Sequence, residues 1–416
     1  MNGVPVLLLR QVDDFCLACP DEDLAKSIYD RIGKALQLPS ESSPPFKYMG
    51  LVDDYNGVSV DQTSKYIDIN ATEYITRVLR THGWETPSAK ERTDEMVAPL
   101  PVDAVDRMYH QHLGPADGTP QHNALQRKHG FSYRTVLGEL MYAYVTCRPD
   151  IGYAVVCLSK FAAAPTDTHY TFLKNVAKYL RRTIKWGLRF HRSTPDSSLP
   201  ASHEYAVPQQ SSANIDDLFP SIDLNVLTAF VDASHANDLR NRRSTTGYSI
   251  NMAGAAIAYR SKTQTVTATS STEAEFIAAV LCAKAVRYLR AVLSELGFPM
   301  KDPTVLYEDN ASAIKIINAR HTTDRSRHIQ IQWFAIQDWK DAGDITMRFI
   351  SGTVNPSDDL TKPVGWILHS RHCRHLMGHY PYDASGVISY THSIPPKRSG
   401  EGVKHRKDIR TDLGIG

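Results

Sequence analysis

The segment VLTAFVDAS at residues 226–234 reads as a buried β-strand, because its apolar residues run almost unbroken up to the acidic residue Asp232. A long helix is predicted from about Thr272 to Gly297, with the glycine as its C-terminal stop. The alternation of strands and helices around these two elements predicts an α/β domain at residues 226–363. Its other predicted strands are GYSINMAG (247–254), AIAYRSKT (256–263), TVLYEDN (304–310) and ITMRFIS (345–351).

Acidic residues of this domain stand where a strand ends or a helix begins. They are Asp232, Glu275, Asp309 and Asp358. Such ends cluster on one rim of a sheet, and carboxylates gathered there repel one another unless cations lie between them. Oxygen ligands suit Mg²⁺, and two such ions about 3.5–4 Å apart can activate water for phosphodiester hydrolysis. Any one of these residues alone is better explained as a turn or cap residue, so the hypothesis of a nuclease rests on the whole set.

Glu273 and Glu275 compete for one place in this set. Ser270 followed three residues later by Glu273 fits a capping box, which gives Glu273 a structural task at the start of the long helix. Glu275 is then free to face a metal ion.

A family resemblance covers residues 226–363. The motifs FVDASHAND, RRSTTGYSI, AYRSKTQTVTATSSTEAEFIAA, YEDNASAIKI, SRHIQIQWF and NPSDDLTKP resemble, in this order, the RNase H domain of copia-type retrotransposons. The resemblance implies an RNase H-like five-stranded mixed sheet with helices at its C-terminal side. It also implies that the four carboxylates bind two Mg²⁺ or Mn²⁺ ions. The implied substrate is an RNA:DNA hybrid, whose RNA strand is cut to leave a 3′-hydroxyl and a 5′-phosphate. Asp358 is preferred to Asp359 because it stands one residue further from LTKP.

Two more groups in this domain are candidates for contact with the substrate. His328, in SRHIQ, matches a histidine of the family; a neutral imidazole there could shuttle protons or touch the substrate backbone, and a role in anchoring its helix is equally open. The RRSTTGY segment offers cations and hydroxyls suited to phosphate oxygens, and its alternative is a solvated hairpin edge. The candidates in that segment are Arg242, Arg243, Ser244 and Thr245.

The front of the chain resembles another part of the same polyprotein. VLLLRQVDDFCLA is similar to the reverse-transcriptase hairpin that ends in two aspartates, here Asp13 and Asp14, which in the family hold catalytic Mg²⁺. Without the resemblance, an Asp-Asp turn between apolar runs is a commonplace hairpin. Gln11 stands where the family usually has an aromatic residue, and the preceding palm segment is missing from the sequence. We therefore expect residues 1–90 to be a truncated palm and thumb that cannot polymerise unless complemented.

The middle of the chain resembles the family's connection to RNase H. Apolar residues recur at helical spacing in residues 133–192, so a helical connection is expected there, after an extended connector at 91–132 and before a linker at 193–225. Residues 173–192 hold seven Lys or Arg and no acid. Some of these cations form a stripe that either follows a hybrid's phosphates or is a solvated face. The stripe consists of Lys174, Lys178, Arg181 and Lys185.

Residues 364–416 are expected to form a C-terminal helix and a disordered basic tail. The helix gathers possible zinc ligands, but family members end in a similar helix, which argues against metal there. These residues are His369, His372, Cys373, His375 and His379. Together with the partial palm and thumb, the chain is predicted to be an α/β and α+β multidomain protein.

Bulk properties limit the remaining possibilities. The net charge is only +2, so affinity for a polyanion must come from local patches. Six scattered cysteines suit a reducing compartment, and no signal peptide or membrane anchor is predicted. The expected location is intracellular, in cytoplasmic virus-like particles by family resemblance, or nuclear.

Three functions are compatible with the sequence. The chain is an active hybrid ribonuclease with a polymerase remnant, an inactive nucleic-acid-binding relic, or a fragment of an RNA-directed DNA polymerase whose N-terminal part is missing. The expected partners are an RNA:DNA hybrid and other Pol or Gag products of the element, with no membrane.

Overall fold

The structure of the protein is a computed structural model. It describes residues 6–12, 14–36, 48–87, 98–110, 113–193, 196–199, 222–319, 330–379 and 387–388. Asp13 and His328 lie outside the described residues, as do most of the expected linker and most of the expected tail. Within the described ranges, no helix combines the length and the apolar character needed to cross a lipid bilayer.

The N-terminal part begins with the predicted hairpin, in which Gln11 lies opposite Asp14. Thr72 begins the second helix, and Thr63 fixes the turn between two strands by accepting from the amide of Tyr66 at 3.1 Å. A four-stranded antiparallel sheet has the order β3-β4-β5-β6, and its last strand comes from much later in the chain. The elements are β1 (Leu7–Gln11), β2 (Asp14–Ala18), α1 (Glu22–Leu36), β3 (Asp54–Tyr55), β4 (Val58–Gln62), β5 (Tyr66–Asn70), α2 (Thr72–Thr81) and β6 (Gly187–His191).

A helical unit packs on this sheet. It consists of α3 (Ala104–Tyr109), α4 (Pro120–His129), α5 (Tyr133–Cys147), α6 (Gly152–Ser159) and α7 (Asp167–Arg182). The prediction of an extended connector at residues 91–132 is wrong where α3 and α4 form. Thr119 caps α4 by accepting from the amide of His122, Pro120 occupies its first turn, and Gly130 ends it at φ 79°. These signals were present in the sequence, but they lie among Pro, Gly and polar residues that also suit a loop.

The five-stranded sheet expected at residues 226–363 is confirmed. Its order is β10-β9-β8-β11-β12; β8, β9 and β10 run antiparallel, whereas β11 runs parallel to both β8 and β12. This mixed pairing is the RNase H-like arrangement that the resemblance implied. A short pair, β7 with β13, lies outside this sheet. The strands are β7 (Ile222–Asp223), β8 (Thr228–Ser234), β9 (Thr245–Met252), β10 (Ala255–Thr263), β11 (Thr304–Glu308), β12 (Ile345–Phe349) and β13 (Val387–Ile388).

The long helix predicted between the third and fourth strands is confirmed as α8 (Ser271–Glu295), followed by α9 (Ala311–Asn318) and α10 (Gln330–Asp341). Phe276 and Val286 of α8 are fully buried against the sheet, and each such burial stabilises the fold by roughly 1.5–3 kcal/mol. Gly297 adopts φ 89° just beyond the helix, as its predicted role as C-terminal stop requires.

The last described helix, α11 (Trp366–Met377), lies between the mixed five-stranded sheet and the four-stranded sheet with its helical unit. Most of its residues are buried, although it is rich in His and Arg. Asn251 of β9 donates to the carbonyl of His375 at 3.0 Å. On the other side, the His379 ring lies 2.9 Å from the carbonyl of Gly187, and the His191 ring lies 2.7 Å from that of Gly378. The helix therefore fastens the mixed sheet to the sheet that contains β6.

Gly247 of β9 lies beside Asp232 and beneath the segment that carries Asp358. A Cβ there would lie 2.6 Å from Cγ2 of Thr361 and 2.9 Å from the backbone oxygen of Ser357. Gly247→Ala is expected to destabilise the chain by about 1–3 kcal/mol through overpacking, measured as the free energy of unfolding in urea. Gly138→Ala in α5 is the matched control, since its Cβ meets nothing within 4 Å, and it should stabilise by roughly 0.5–1 kcal/mol. Equal stability of the Gly247→Ala and unmodified chains would contradict the packing described.

Candidate active site: a buried carboxylate centre

Three of the predicted carboxylates meet at one rim of the mixed sheet. Asp232 lies in β8, Asp309 directly follows β11, and Glu275 lies in the second turn of α8. Because β8 and β11 are parallel neighbours, their C-terminal ends reach the same rim. One carboxylate oxygen from each residue lies within 4.8 Å of the others.

Asp358 joins this group from a single-turn 3₁₀ helix, Pro356–Leu360. Asn355 fixes the segment, since its side-chain amide donates to the carbonyl of Val231 in β8 at 2.8 Å. The Lys362 ammonium lies 2.8 Å from Oδ1 of Asp358 and 4.0 Å from Oδ2 of Asp232. The Thr361 hydroxyl donates to the same oxygen of Asp232. The four residues Asp232, Glu275, Asp309 and Asp358 are called the carboxylate centre below.

Burial and repulsion by neighbouring carboxylates disfavour the ionised forms of Glu275, Asp309 and Asp358. Burial, followed by the charges of neighbouring carboxylates, raises the pKa of Glu275 to about 11. Burial and Asp232 raise the pKa of Asp358 to about 8, although Lys362 opposes the shift. The pKa of Asp309 is raised for the same reasons. Burial lowers the pKa of Lys362, but the surrounding carboxylates outweigh it and raise that pKa overall. The carboxylate centre therefore favours protonation of its carboxyl groups or the binding of a cation.

A fifth carboxyl group, Glu308, is fully buried at the end of β11 and is not among the predicted site residues. Its Oε1 accepts from the amide of Asn310 at 2.9 Å, whereas no hydrogen-bond partner is described for its Oε2. Burial, with the charges of Asp309 and Asp232, raises its pKa well above the ordinary value. The Glu-Asp pair at the end of a predicted strand was the available signal, and only Asp309 of that pair was chosen.

The residues of the carboxylate centre fit a divalent cation. They supply hard oxygen donors of the kind that Mg²⁺ and Mn²⁺ take. Oε2 of Glu275 is buried without a described hydrogen-bond partner, as an atom reserved for a ligand would be. Gly352 keeps room beside Asp309, because a Cβ there would lie 2.7 Å from its Oδ2.

Glu273 and Asp359, the two acids set aside in favour of their neighbours, have other partners. Ser270 accepts from the amide of Glu273 at 3.2 Å, and the Glu273 carboxylate accepts from the amide and hydroxyl of Thr269, both at 2.7 Å. The predicted capping role of Glu273 is confirmed, with Thr269 in place of Ser270 as the residue it caps. The Asp359 carboxylate lies 2.9 Å from Nδ1 of His369 and belongs to a different cluster.

The loop from β8 to β9 leaves the same rim. Arg242 and Arg243 are exposed on it, and Arg242 adopts φ 57°. Ser244 and Thr245 are buried: the Ser244 hydroxyl accepts from the amide of Ala236 at 3.1 Å, and the Thr245 hydroxyl donates to Oδ1 of Asn237 at 2.8 Å. The two arginines are thus presented to solvent, and the two hydroxyls shape the loop.

The basic stripe of α7 is only partly exposed. Arg181 donates to the carbonyl of Trp84 at 3.0 Å, and the Lys174 ammonium lies 5.6 Å from the centre of the Trp84 ring. Lys178 is half-buried, and Lys185 is exposed. Of the aspartate pair in the N-terminal hairpin, Asp14 is exposed at the start of β2.

The mixed sheet with acidic residues gathered at one rim defines an RNase H-like domain. No family model matches the chain. The chain is 28% identical over 361 residues to the retrovirus-related Pol polyprotein from transposon TNT 1-94 of Nicotiana tabacum, a match that covers 86% of this chain and 23% of that protein. It is also 34% identical over 146 residues to the secreted RxLR effector protein 161 of Plasmopara viticola, covering 35% of this chain and 82% of that protein.

Among solved structures, the crystal structure of LC11-RNase H1 in complex with RNA/DNA hybrid aligns at 12% identity and a TM-score of 0.26, over 33% of this chain and 94% of that chain. The chain is similar to retrovirus-related Pol polyproteins of copia-type transposons. It spans less than a quarter of the length of the Pol polyproteins it matches. The words secreted and effector describe the Plasmopara viticola protein.

The raised pKa of Glu308 gives a test of the electrostatics. A carboxyl whose pKa is raised on folding contributes stability below its unfolded pKa, and this stability is lost as the pH rises towards the folded pKa. Glu308→Gln keeps the shape and cannot ionise. In EDTA, its melting temperature should therefore match that of the unmodified chain near pH 5 and exceed it by several degrees near pH 9, at about 2–4 °C per kcal/mol. A constant difference across this range would contradict the account.

Proposed function

We propose that the chain hydrolyses the RNA strand of RNA:DNA hybrids at the carboxylate centre. The observation that carries this proposal is the convergence of Asp232, Glu275, Asp309 and Asp358 on one buried rim, with an unpartnered carboxylate oxygen among them. Similarity to the Pol polyproteins of copia-type transposons supports it, because a polyprotein that copies RNA into DNA must remove RNA from a hybrid intermediate.

Two divalent cations, Mg²⁺ or Mn²⁺, would be held there, one by Asp232, Glu275 and Asp309, and the other by Asp232 and Asp358. When bound, they supply Lewis-acid stabilisation of phosphate charge and lower the pKa of an attacking water. The chain's own part is to keep four carboxylates in place: β8 and β11 fix Asp232 and Asp309, and the Asn355 bond to β8 fixes the segment of Asp358. Lys362 favours the ionised form of Asp358, against the effect of burial, and adds positive charge where a polyanion approaches.

We propose that Arg242 and Arg243 contact the hybrid's phosphates, since they are exposed on the loop that leaves the rim of the carboxylate centre. This loop is tied to the segment of Asp358, because the Asn237 side-chain amide donates to the carbonyl of Thr361 at 3.1 Å. Phosphate contacts by Ser244, Thr245 and the stripe of α7 stay predictions, as do the role of His328, the polymerase metal site at Asp13 and Asp14, other Pol or Gag partners, and a location in cytoplasmic particles or the nucleus.

Cleavage of an end-labelled RNA:DNA hybrid by the full chain with Mg²⁺ tests the proposal. The hybrid should be cut and single-stranded RNA left intact. Asp309→Asn should slow cleavage by more than about 100-fold, because removing a direct ligand is expected to exceed the effect of removing an outer-shell partner. Asp302→Asn, the same change at an exposed site, should leave the rate unaltered.

Two results would overturn the proposal. One is binding of the hybrid without any cleavage, which would favour an inactive nucleic-acid-binding relic. The other is equal cleavage by Asp309→Asn and the unmodified chain, which would place the chemistry elsewhere.

A further inference from the structure

Asp358 and Asp359 are neighbours in one 3₁₀ helix, yet their side chains contact different groups of residues. Residues in such a turn are about 120° apart around its axis, so adjacent side chains point in different directions. Asp358 joins the carboxylate centre, whereas Oδ2 of Asp359 lies 2.9 Å from Nδ1 of His369 in α11. Any force that fixes Asp359 therefore also fixes the backbone that presents Asp358.

The contact with His369 continues into the helical unit. Nε2 of His369 lies 2.9 Å from the Tyr179 hydroxyl of α7, which donates to Oδ2 of Asp150 at 2.7 Å. Arg148 is the last member of this series: it donates two hydrogen bonds to the carboxylate of Asp150, from Nε to Oδ1 at 2.9 Å and from Nη2 to Oδ2 at 2.6 Å. All five residues are buried. They are called the buried charge chain below.

Counting protons assigns the state of His369. Tyr179 has one hydroxyl proton, which it gives to Asp150, so its oxygen can only accept from Nε2 of His369. Nδ1 faces the carboxylate of Asp359 and also donates. In this arrangement one ring nitrogen donates to Tyr179 and the other to Asp359, so His369 links the carboxylate of Asp359 to the Arg148–Asp150 ion pair.

This state also explains why the cluster of Asp359, His369 and Cys373 does not need a metal. Both ring nitrogens of His369 carry protons, so neither has a lone pair to offer a cation. The Cys373 sulfur lies 3.8 Å from Oδ2 of Asp359 and 3.4 Å from Nε2 of His369, and burial raises its pKa well above the ordinary value. The thiol therefore stays protonated.

We infer that His369 and Tyr179 are positioning residues of the carboxylate centre: through Asp359 they hold Asp358 in place and couple the centre to the helical unit upstream. The inference rests on the proposed function. It also explains how His369 of the polar helix α11 can be buried, because its ring has a partner on each side, Asp359 and Tyr179. Loosening the buried charge chain should weaken metal binding at Asp358 without altering the surface that meets the hybrid.

Tyr179→Phe tests this with a change remote from the centre. It removes one hydroxyl, keeps the ring, and leaves Nε2 of His369 without an acceptor. Tyr133→Phe is the matched control, since its hydroxyl donates a buried 2.9 Å hydrogen bond to the carbonyl of Leu158 in the same helical unit but does not lead to Asp359. Tyr179→Phe loses the hydrogen bonds to Asp150 and His369, whereas Tyr133→Phe loses one, so a larger loss of stability is expected in Tyr179→Phe.

The readouts are the dissociation constant for Mn²⁺, followed by electron paramagnetic resonance of the full chain, and the Mg²⁺ concentration that gives half-maximal hybrid cleavage. Tyr179→Phe should raise both by about three- to tenfold, which is at or below the effect of removing an outer-shell partner. KM for the hybrid should stay unchanged, and excess Mg²⁺ should restore the rate. Tyr133→Phe should match the unmodified chain in all of these.

Identical Mn²⁺ affinity in the two variants would overturn the inference. The inference would also be overturned if the purified chain contained one equivalent of zinc and the Cys373→Ser variant contained none, because Asp359, His369 and Cys373 would then form a metal site. If the unmodified chain binds Mn²⁺ but cuts no hybrid, the proposed function fails, while the Mn²⁺ comparison between Tyr179→Phe and Tyr133→Phe still decides whether the buried charge chain positions Asp358.

Discussion

The repulsion among buried carboxylates is the constraint on which the rest of this structure depends. Asp232, Glu275, Asp309 and Asp358 gather on one rim with Glu308 beside them, and removing charges from water without partners is costly. Protonation, which the raised pKa values of Glu275 and Glu308 favour, is one way to relieve the repulsion. A bound cation is the other, and it alone relieves the repulsion while leaving the carboxylates ionised.

The packing around the centre resists this repulsion from several directions. The parallel pairing of β11 with β8 brings Asp309 to the same rim as Asp232, and the cap of Ser270 starts α8 so that Glu275 reaches it. Asn355 bonds to β8 and Lys362 pairs with Asp358, and these contacts hold the segment of Asp358 in place. The segment also packs so closely on β9 that position 247 requires glycine. From behind, Asp359 is held by α11 and, through it, by the helical unit. The centre is thus supported by two units of the chain and is not a property of the mixed sheet alone.

Local patterns in the sequence predicted most of this sheet. Its five strands and α8 carry unbroken apolar runs or helical periodicity, and Gly297 stops α8 as its position suggested. Ser270 and Glu273 could be read as a cap because that motif acts within one turn. The helices at 104–129 were missed because their few apolar residues give weak periodicity, although Thr119, Pro120 and Gly130 marked one of them.

What the sequence could not predict depends on contacts between distant residues. Glu308 looks like an ordinary strand end, and only the fold shows that it is buried beside Glu275. The histidines of α11 suggested either zinc ligands or the C-terminal helix in which members of the resembled family end. Their burial and the pairing of His369 with Tyr179, 190 residues earlier, follow from tertiary packing that no local spacing encodes. Likewise, no local spacing showed that Ser244 and Thr245 are buried and that their hydroxyls stabilise the loop.

A crystal structure of the full chain grown with Mn²⁺, with anomalous diffraction recorded at the manganese edge, tests the central claim most directly. The account predicts anomalous peaks among the carboxylates of Asp232, Glu275, Asp309 and Asp358, with the Lys362 ammonium displaced from Asp358. The absence of any anomalous peak at that rim at saturating Mn²⁺ would contradict it.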